Sequence, residues 1–453
     1  MNPKLVFNNH AGYSVATVGG GLLVDPWVAQ TAFADGWSLL DGTTSNDQVV
    51  ALLGQMRGPK TIWYSHEHSD HFSIPFLKTL KQNAPAGVRI AYQRTLDGRV
   101  AGHLRNFGFD VNELKPSECM KCADDLSLYV WPFFDTGDSF SLTIACGGTF
   151  LNLNDCAIDS VEKCEFVRQC VANHASKIDV LLTQFGYANW IGNESDVALR
   201  QAAAREKLER VALQVRVLNP RTVIPFASFV RFCHEENAYM NDAQNTIETL
   251  FTSPITEPFR DRLHVMKPGD EWSPADGHET PEARAASAAA RAHWKALSEA
   301  EPPPLLTQRA RFTLDELKTS TDLFRKGISR NLAWANHLAE MLGVIKPVTI
   351  RLSDLGDTVR MSYRRGLTPS SDAVAHFTCT SEVLNFIFRN DFGFNTTLVN
   401  ARFRTNDMAG YSRTWRFFIL QDLKKMGLSV STPWTTLRVV ARNIRKFIVR
   451  KVS

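Results

Sequence analysis

The chain has 453 residues, which is too long for one ordinary domain and predicts two or three. Apolar residues make up 44% and charged residues 22%, a balance that matches a soluble globular protein. The net charge of +4 is too small to predict a nucleic-acid-binding surface over the whole molecule, so we expect no nucleic-acid partner.

The N-terminal residues show no basic region followed by an unbroken apolar core, so they do not predict a secretory signal. No window approaches about 18 consecutive apolar residues, which argues against a helix that spans a membrane. We therefore expect a cytoplasmic protein. The eight cysteines are scattered along the chain, and the C-x-x-C pair Cys119 and Cys122 has no second pair with which to form a zinc or Rieske site.

The first 230 residues alternate short apolar or β-branched runs with helical patterns, and this alternation predicts an α/β sandwich. The predicted strands are Leu22 to Val24, Thr61 to Tyr64, Val88 to Tyr92, Leu126 to Trp131, Leu142 to Ala145, Thr149 to Leu153, Val180 to Thr183 and Thr222 to Pro225. The predicted helices are Ile74 to Gln82, Ser160 to Ala175 and Ser195 to Leu218.

The composition changes after residue 266. Residues 267–307 hold an Ala-rich segment, Glu282 to Glu301, that Thr280 can cap and that a run of three prolines ends, so we predict a helical linker. Residues 308–430 combine helical patterns with strands predicted at Val348 to Leu352, Thr358 to Tyr363 and Thr397 to Phe403. They predict a smaller C-terminal α/β domain of accessory role.

The last segment, residues 431–453, predicts a basic amphipathic tail. From Trp434 to Ser453 there are six basic residues and no acidic one, and the apolar residues share one helical face. This pattern is typical of a helix that makes peripheral contact with a membrane surface. A helix that packs on its own domain with solvated arginines has the same pattern, and the sequence leaves both interpretations open.

Three of the twelve histidines fall close together beside an aspartate in the stretch IWYSHEHSDHFS, residues 62–73. A strand that ends at Tyr64 would deliver them into the following loop. Neutral imidazoles and a carboxylate suit zinc or iron. The spacing H-x-H-x-D-H lets His66 and His68 serve one metal while Asp70 and His71 serve a second, so we predict a two-metal site.

This spacing resembles the signature of the metallo-β-lactamase superfamily, which implies an αββα sandwich for residues 1–266. The superfamily's bridging aspartate fits Asp155, which follows a predicted strand, and its final histidine fits His234. Before that strand the superfamily's hydrolases carry a histidine, which this chain lacks. Asp135 is our first candidate for that ligand, ahead of Asp138 and His103, and an incomplete or water-filled position is the remaining alternative.

The elements DPW, AF-x-x-GW and PFA-x-F further resemble the metallo-β-lactamase-like domain of CMP-N-acetylneuraminate hydroxylase and its bacterial relatives. This resemblance spans roughly residues 20–245 and implies an iron-dependent oxygenase. Di-iron hydroxylases of the superfamily replace a histidine ligand by a carboxylate, as Asp135 would here. Oxygen donors suit the higher oxidation states of iron better than imidazole does.

Our leading hypothesis is therefore a di-iron oxygenase that oxidises a small organic substrate with dioxygen and electrons from an external donor. The alternative is a binuclear zinc hydrolase of a phosphodiester, amide or lactone, and a metal-binding scaffold without turnover is a third class. We count Asp70 as catalytic as well as a ligand. Tyr187 is the candidate that would stabilise a developing oxyanion.

Two loops are expected near the metals. The stretch TQFGYANWIGNE gathers Gln184, Tyr187, Asn189 and Trp190 after a strand, where they could line a substrate pocket or form a plain turn with buried aromatics. Asp25 lies on an early loop and is expected to orient a metal ligand.

Deleting residues 434–453 should leave the metal site intact and reduce sedimentation of the protein with anionic liposomes. Each basic residue near an anionic surface contributes roughly 1 kcal/mol to binding. Equal, salt-insensitive sedimentation of the full-length and truncated proteins would contradict the membrane interpretation. Aggregation of the truncated protein would instead support a helix that completes the C-terminal domain.

Overall fold

A computed structural model describes residues 2–95, 97–133 and 137–425, with residues 328–339 and 419–425 described by their backbone alone. The chain forms two compact units. The first contains the residues up to Ile191 together with Asp196–Cys233 and Ala238–Pro304. The second contains Gly192–Ser195, His234–Asn237 and the described residues from Leu305 onward.

The described residues of the first unit form the strands β1 (Lys4–Asn9), β2 (Gly12–Ala16), β3 (Gly21–Val24), β4 (Trp37–Leu39), β5 (Lys60–Tyr64), β6 (Val88–Gln93), β7 (Asp110–Leu114), β8 (Cys119–Ala123), β9 (Leu126–Pro132), β10 (Ser139–Ala145), β11 (Gly148–Asn152), β12 (Val180–Gln184), β13 (Thr222–Phe226), β14 (Val230–Phe232) and β15 (Glu271–Trp272). Its α-helices are α1 (Asn46–Gln55), α2 (Ile74–Asn83), α3 (Arg99–Asn106), α4 (Val161–Ala172), α5 (Val197–Leu218), α6 (Ile247–Thr252) and α7 (Pro281–Glu299). Short 3₁₀ helices cover Ala238–Asn241, Glu257–Arg262 and Pro274–Asp276.

Two large mixed sheets organise this unit. One has seven strands in the order β15-β1-β2-β3-β5-β6-β7, and the other has six in the order β13-β12-β11-β10-β9-β8. Strands β3, β5, β6 and β7 run parallel to one another, as do β11, β12 and β13. In such sheets, ligands bind outside the carboxyl ends of the parallel strands. Strands β14 and β4 form a separate antiparallel pair.

Side chains alternate between two apolar layers along the strands of the seven-stranded sheet. Leu22, Val24 and Trp63 belong to a core that also contains Leu128 and other residues of the six-stranded sheet. Their neighbours along the same strands pack instead into a second core with α1, α2 and α3, and these are Leu23, Ile62, Tyr64 and Ile90. Because a strand presents alternate residues to opposite faces, this pattern places sheet against sheet with helices outside. The predicted αββα class is confirmed.

The predicted linker segment lies within the first unit as far as Pro304. Strand β15 pairs with β1 at the edge of the seven-stranded sheet. The Thr280 side chain caps α7 as predicted, by accepting a hydrogen bond from the backbone N–H of Ala283. Helix α7 buries Trp294 in the core between the sheets, so apolar burial holds this helix against the unit.

The second unit contains β16 (Val348–Leu352), β17 (Thr358–Ser362), β18 (Gly366–Pro369), β19 (Phe377–Cys379) and β20 (Arg404–Thr405), with α8 (Leu314–Met341), α9 (Ser381–Arg389), α10 (Gly393–Asn400) and α11 (Met408–Lys425). Its sheet has the order β18-β17-β16-β19-β20. The strand predicted at Thr397 to Phe403 is wrong, because its first residues end α10, where Thr397 is buried and bonds the Gly393 carbonyl.

No helix in the described part of the chain is long and apolar enough to cross a membrane. All eight cysteines are free thiols, which agrees with the expectation that no disulfide framework exists. The predicted basic tail, residues 431–453, lies outside the described residues. Its membrane role stays a prediction.

Replacing Trp294 by alanine should lower the free energy of unfolding of the first unit by about 3–5 kcal/mol, the usual cost of truncating a buried tryptophan. Trp294 is buried, stacks on Phe229 with ring centroids 4.0 Å apart, and donates from Nε1 to the Met266 carbonyl. Urea unfolding measures the change. The neighbouring Lys295→Ala, at a half-exposed position, is the control and should change the value by less than about 0.5 kcal/mol. Equal stability of the two variants would contradict the packing of α7.

Candidate metal centre

The H-x-H-x-D-H residues lie in the loop between β5 and α2. Strand β5 is buried and ends at Tyr64, and the loop then turns tightly, with the N–H groups of His71 and Phe72 both donating to the His68 carbonyl. Ser73 ends the loop by capping α2 through a hydrogen bond from the Phe76 N–H. The loop therefore holds the four residues at the carboxyl end of a central parallel strand.

The first group of prospective ligands contains His66, His68 and Asp138. The Nε2 atom of His66 lies 2.9 Å from Nδ1 of His68 and 3.9 Å from Oδ1 of Asp138. His66 is buried, whereas His68 and Asp138 are partly exposed. This group is therefore open on one side.

The second group contains His10, Asp70 and His71, all of them buried. Oδ2 of Asp70 lies 3.4 Å from Nε2 of His71 and 3.4 Å from Nε2 of His10. The carboxylate thus stands between two imidazoles, which is a suitable set of donors for one divalent ion.

Asp155 joins the two groups. It lies in the turn that follows β11, and its Oδ2 atom is 3.8 Å from Nε2 of His66 and 3.5 Å from Nε2 of His71. One carboxylate oxygen is therefore close to a ligand from each group. This is the bridging place that the sequence predicted for Asp155. The turn itself is stabilised by Asn152, whose side chain accepts from the Asn154 N–H.

Metal ions suit this arrangement because buried donor atoms meet here without hydrogen-bond partners among the described residues. They are Oδ1 of Asp70, Nε2 of His71 and Nε2 of His10, which faces Asp70. Buried polar atoms in folded proteins are nearly always paired, so a set that converges on one space indicates a ligand. In chemical terms the donors are four imidazoles and three carboxylates.

The protonation states also favour metal binding. Burial and then the imidazoles of His71 and His68 lower the pKa of His66 well below its usual value, which keeps the ring neutral. Burial opposes ionisation of Asp70, but the imidazoles of His71 and His10 lower its pKa well below the usual value. Burial likewise opposes a charge on His71, yet Asp70, Asp155 and Asp25 raise its pKa well above the usual value. A metal at His71 would therefore displace a proton.

Asp25 orients two of the ligand imidazoles, as expected. It follows β3, is buried, and its Oδ2 atom lies 3.0 Å from Nδ1 of His71. The same oxygen accepts from the Ser65 hydroxyl at 2.6 Å, and that hydroxyl lies 2.9 Å from Nδ1 of His66. In both rings Nδ1 is held by the protein, and Nε2 is the atom left for a metal.

His234 is not in any of the groups found among the described residues, and its role as the final ligand stays a prediction. It belongs to the second unit, where its N–H donates to Asn237 and its Nδ1 accepts from the Glu236 N–H. The residue pairs with Leu306 in an isolated parallel bridge.

Tyr187 differs from the prediction. Its side chain is buried and its hydroxyl donates to the Met240 carbonyl, so the hydroxyl is engaged in packing and does not serve as an oxyanion donor. Asp135 lies outside the described residues, and the alternative Asp138 is the carboxylate seen in the first group. His103 is exposed on α3 beside Phe107 and belongs to none of the groups.

His10 is the site residue that the sequence analysis missed. It occupies the two-residue turn between β1 and β2 with φ +42°, a left-handed conformation in which histidine is over-represented. Its ring contacts Trp27 and His71 edge-to-face. The stretch NNHAG indicates a tight turn. Nothing in it predicts a shared metal site with Asp70 and His71, which lie much further along the chain.

Comparison with known proteins supports the resemblance on which the prediction rested. No family model matches the chain. It is similar to the cytidine monophosphate-N-acetylneuraminic acid hydroxylase of Cricetulus griseus, with 34% identity over 82 residues that cover 18% of this chain and 14% of that protein. The protein of the same name from Danio rerio is 24% identical over 256 residues, which cover 52% of this chain and 40% of that protein. The chain thus matches less than half the length of these relatives.

Among solved structures, the chain is similar to the metallo-β-lactamase fold protein YhfI from Bacillus subtilis. The TM-score is 0.36 at 10% sequence identity, and the match covers 60% of this chain and 100% of that one. The predicted family resemblance is confirmed, since the relatives found by sequence carry the name that its motifs implied.

His10→Ala should reduce the bound metal from about two ions per chain to about one, because the buried second group loses one of its three donors. His234→Ala is the matched control and should keep both ions. Mass spectrometry of the metal content of dialysed protein measures the difference. Loss of metal from His234→Ala with full occupancy of His10→Ala would restore the original sequence prediction and contradict this site.

Proposed function

We propose that this chain is a two-metal oxygenase that uses iron and dioxygen to hydroxylate a small organic substrate, with electrons from a separate donor. The observation that carries the proposal is the carboxylate of Asp138 grouped with His66 and His68. The superfamily's hydrolases carry an imidazole at the corresponding place. A set with three carboxylates is harder than the imidazole-rich sets typical of zinc, and such donors favour iron.

The names of the matched relatives agree with this reaction type, because both are hydroxylases. The proposal assigns electron delivery to a separate donor, as the resemblance to iron-dependent oxygenases implied. Bound iron would supply the activation of dioxygen, which protein side chains alone do not perform.

The prospective ligands differ in how deeply they are buried. His10, Asp70 and His71 are closed off from solvent and would hold one ion away from water. Asp138 and Asp155 have side chains that are 15% and 17% exposed. A substrate therefore approaches from the side of these two carboxylates and His68. On the closed side, Asp25 accepts the proton of His71 Nδ1 in a hydrogen bond and keeps that ring in the metal-binding tautomer.

The decisive experiment is elemental analysis of protein purified without added metal, combined with oxygen consumption in the presence of a reductant. About two irons per chain, with oxygen uptake that depends on an added organic substrate, would support the proposal. Cytidine monophosphate-N-acetylneuraminic acid is the first substrate to test, because the matched relatives are named for it. About two zincs per chain without oxygen uptake would favour the binuclear zinc hydrolase instead.

Asp138→His should shift the metal content from iron toward zinc and abolish oxygen consumption, because an imidazole replaces a hard oxygen donor. Asp135→His provides the matched control, since Asp135 was the first candidate from the sequence. Metal content after expression in iron-sufficient medium is the measurement. An unchanged iron content in Asp138→His, with loss of iron in Asp135→His, would assign the ligand to Asp135.

A further inference from the structure

Gln184 lies next to the bridging carboxylate, on the side away from the ligand groups. It is the last residue of β12 and is buried. Its Nε2 amide donates to Oδ1 of Asp155 at 3.4 Å and to the Ala227 carbonyl at 3.4 Å. The other oxygen of Asp155, Oδ2, is the one that approaches His66 and His71. The amide is therefore placed to fix the rotation of the carboxylate without competing for its metal-binding oxygen.

The orientation of that amide is set by Lys207 of α5. The Nζ atom of Lys207 donates to Oε1 of Gln184 at 2.5 Å, and its ammonium form can face only the oxygen of the amide. The NH₂ group of Gln184 must then turn toward Asp155. Two hydrogen bonds thus connect Lys207 to Gln184 and Gln184 to the carboxylate of Asp155.

Lys207 occupies this half-buried place at an electrostatic cost. Burial and then the guanidinium of Arg210 lower the pKa of Lys207 to about 7. A methionine or leucine at the same position on the helix would avoid that cost. Charged groups with strongly shifted pKa values are found more often at functional sites than elsewhere.

Helix α5 makes a second polar link to the same region two turns later. Gln214 is buried, accepts from the Thr183 hydroxyl at 2.6 Å and donates to the Ile158 carbonyl at 2.9 Å. Residues seven apart in a helix share one face. Lys207 and Gln214 therefore connect one face of α5 to the end of β12 and to the segment that carries Asp155.

We propose that Lys207 and Gln184 are positioning residues that hold Asp155 in the orientation required to bridge two metal ions. The inference rests on the two-metal site of the proposed function, and it holds for either an oxygenase or a hydrolase. Loss of such a partner behind a metal ligand typically lowers metal affinity by about 10–100-fold.

The test is manganese(II) binding to the full chain freed of metal, followed by titration calorimetry and by the electron paramagnetic resonance signal of two coupled ions. Lys207→Met should weaken binding of one of the two ions by about 10–100-fold and diminish the coupling. Lys207→Arg keeps an obligate donor and should restore both. Gln184→Glu keeps the acceptor for Lys207 but loses the donor to Asp155, so it should resemble Lys207→Met.

Arg205→Met is the matched control, because it removes a positive charge from an exposed position of the same helix, where the side chain pairs with Glu209. It should bind both ions as the unmodified chain does. Wild-type affinity and coupling in Lys207→Met would overturn the proposal. Circular dichroism checks folding, and if Gln184→Glu fails to fold, the half-buried Lys207 variants decide the matter. An unmodified chain that binds a single ion would contradict the two-metal site itself, whereas failure of oxygen consumption alone would leave the positioning role standing.

Discussion

The arrangement of the candidate metal centre depends on the hydrogen bonds that the buried carboxylate of Asp25 accepts. The carboxylate accepts hydrogen bonds from the N–H and hydroxyl of Ser65, from Nδ1 of His71 and from the amide of Asn154. A buried carboxyl group is stable only when hydrogen-bond partners surround it. Those donors come from the loop after β5 and the turn after β11, so one side chain joins the ligand-bearing segments of both sheets. These hydrogen bonds fix the two segments relative to each other through the protein's own contacts.

Charge balance is the second constraint. Asp70, Asp138 and Asp155 converge on one space, and without cations their mutual repulsion would oppose folding. Protonation of His71 provides part of the compensation, and two divalent ions would provide more. The apolar core between the sheets holds this arrangement in place. Lys207 lies outside the ligand groups. It donates to Gln184, whose amide in turn donates to Asp155.

Local patterns were sufficient for most of the fold. Strands β5, β11, β12 and β13 and helices α2, α4 and α5 lie where periodicity placed them, because each has a buried face that shows in its own sequence. The Ala-rich helix was also found, although the pattern gave no sign that Trp294 would be buried in the sheet core. The error at Thr397 has a simple cause: β-branched residues favour strands on average, and tertiary packing made this stretch a helix.

The sequence by itself determined the parts of the site in which ligands are neighbours in the chain. His66, His68, Asp70 and His71 share one loop, and Asp155 follows a recognisable strand. Only the tertiary structure brought His10 to Asp70 and His71. That placement depends on the order of strands, which brings the hairpin turn after β1 beside the loop after β5, and strand order cannot be read from periodicity. The contact of Lys207 with Gln184 could not be predicted either. The two residues lie on different elements, α5 and β12, and meet only in the folded chain.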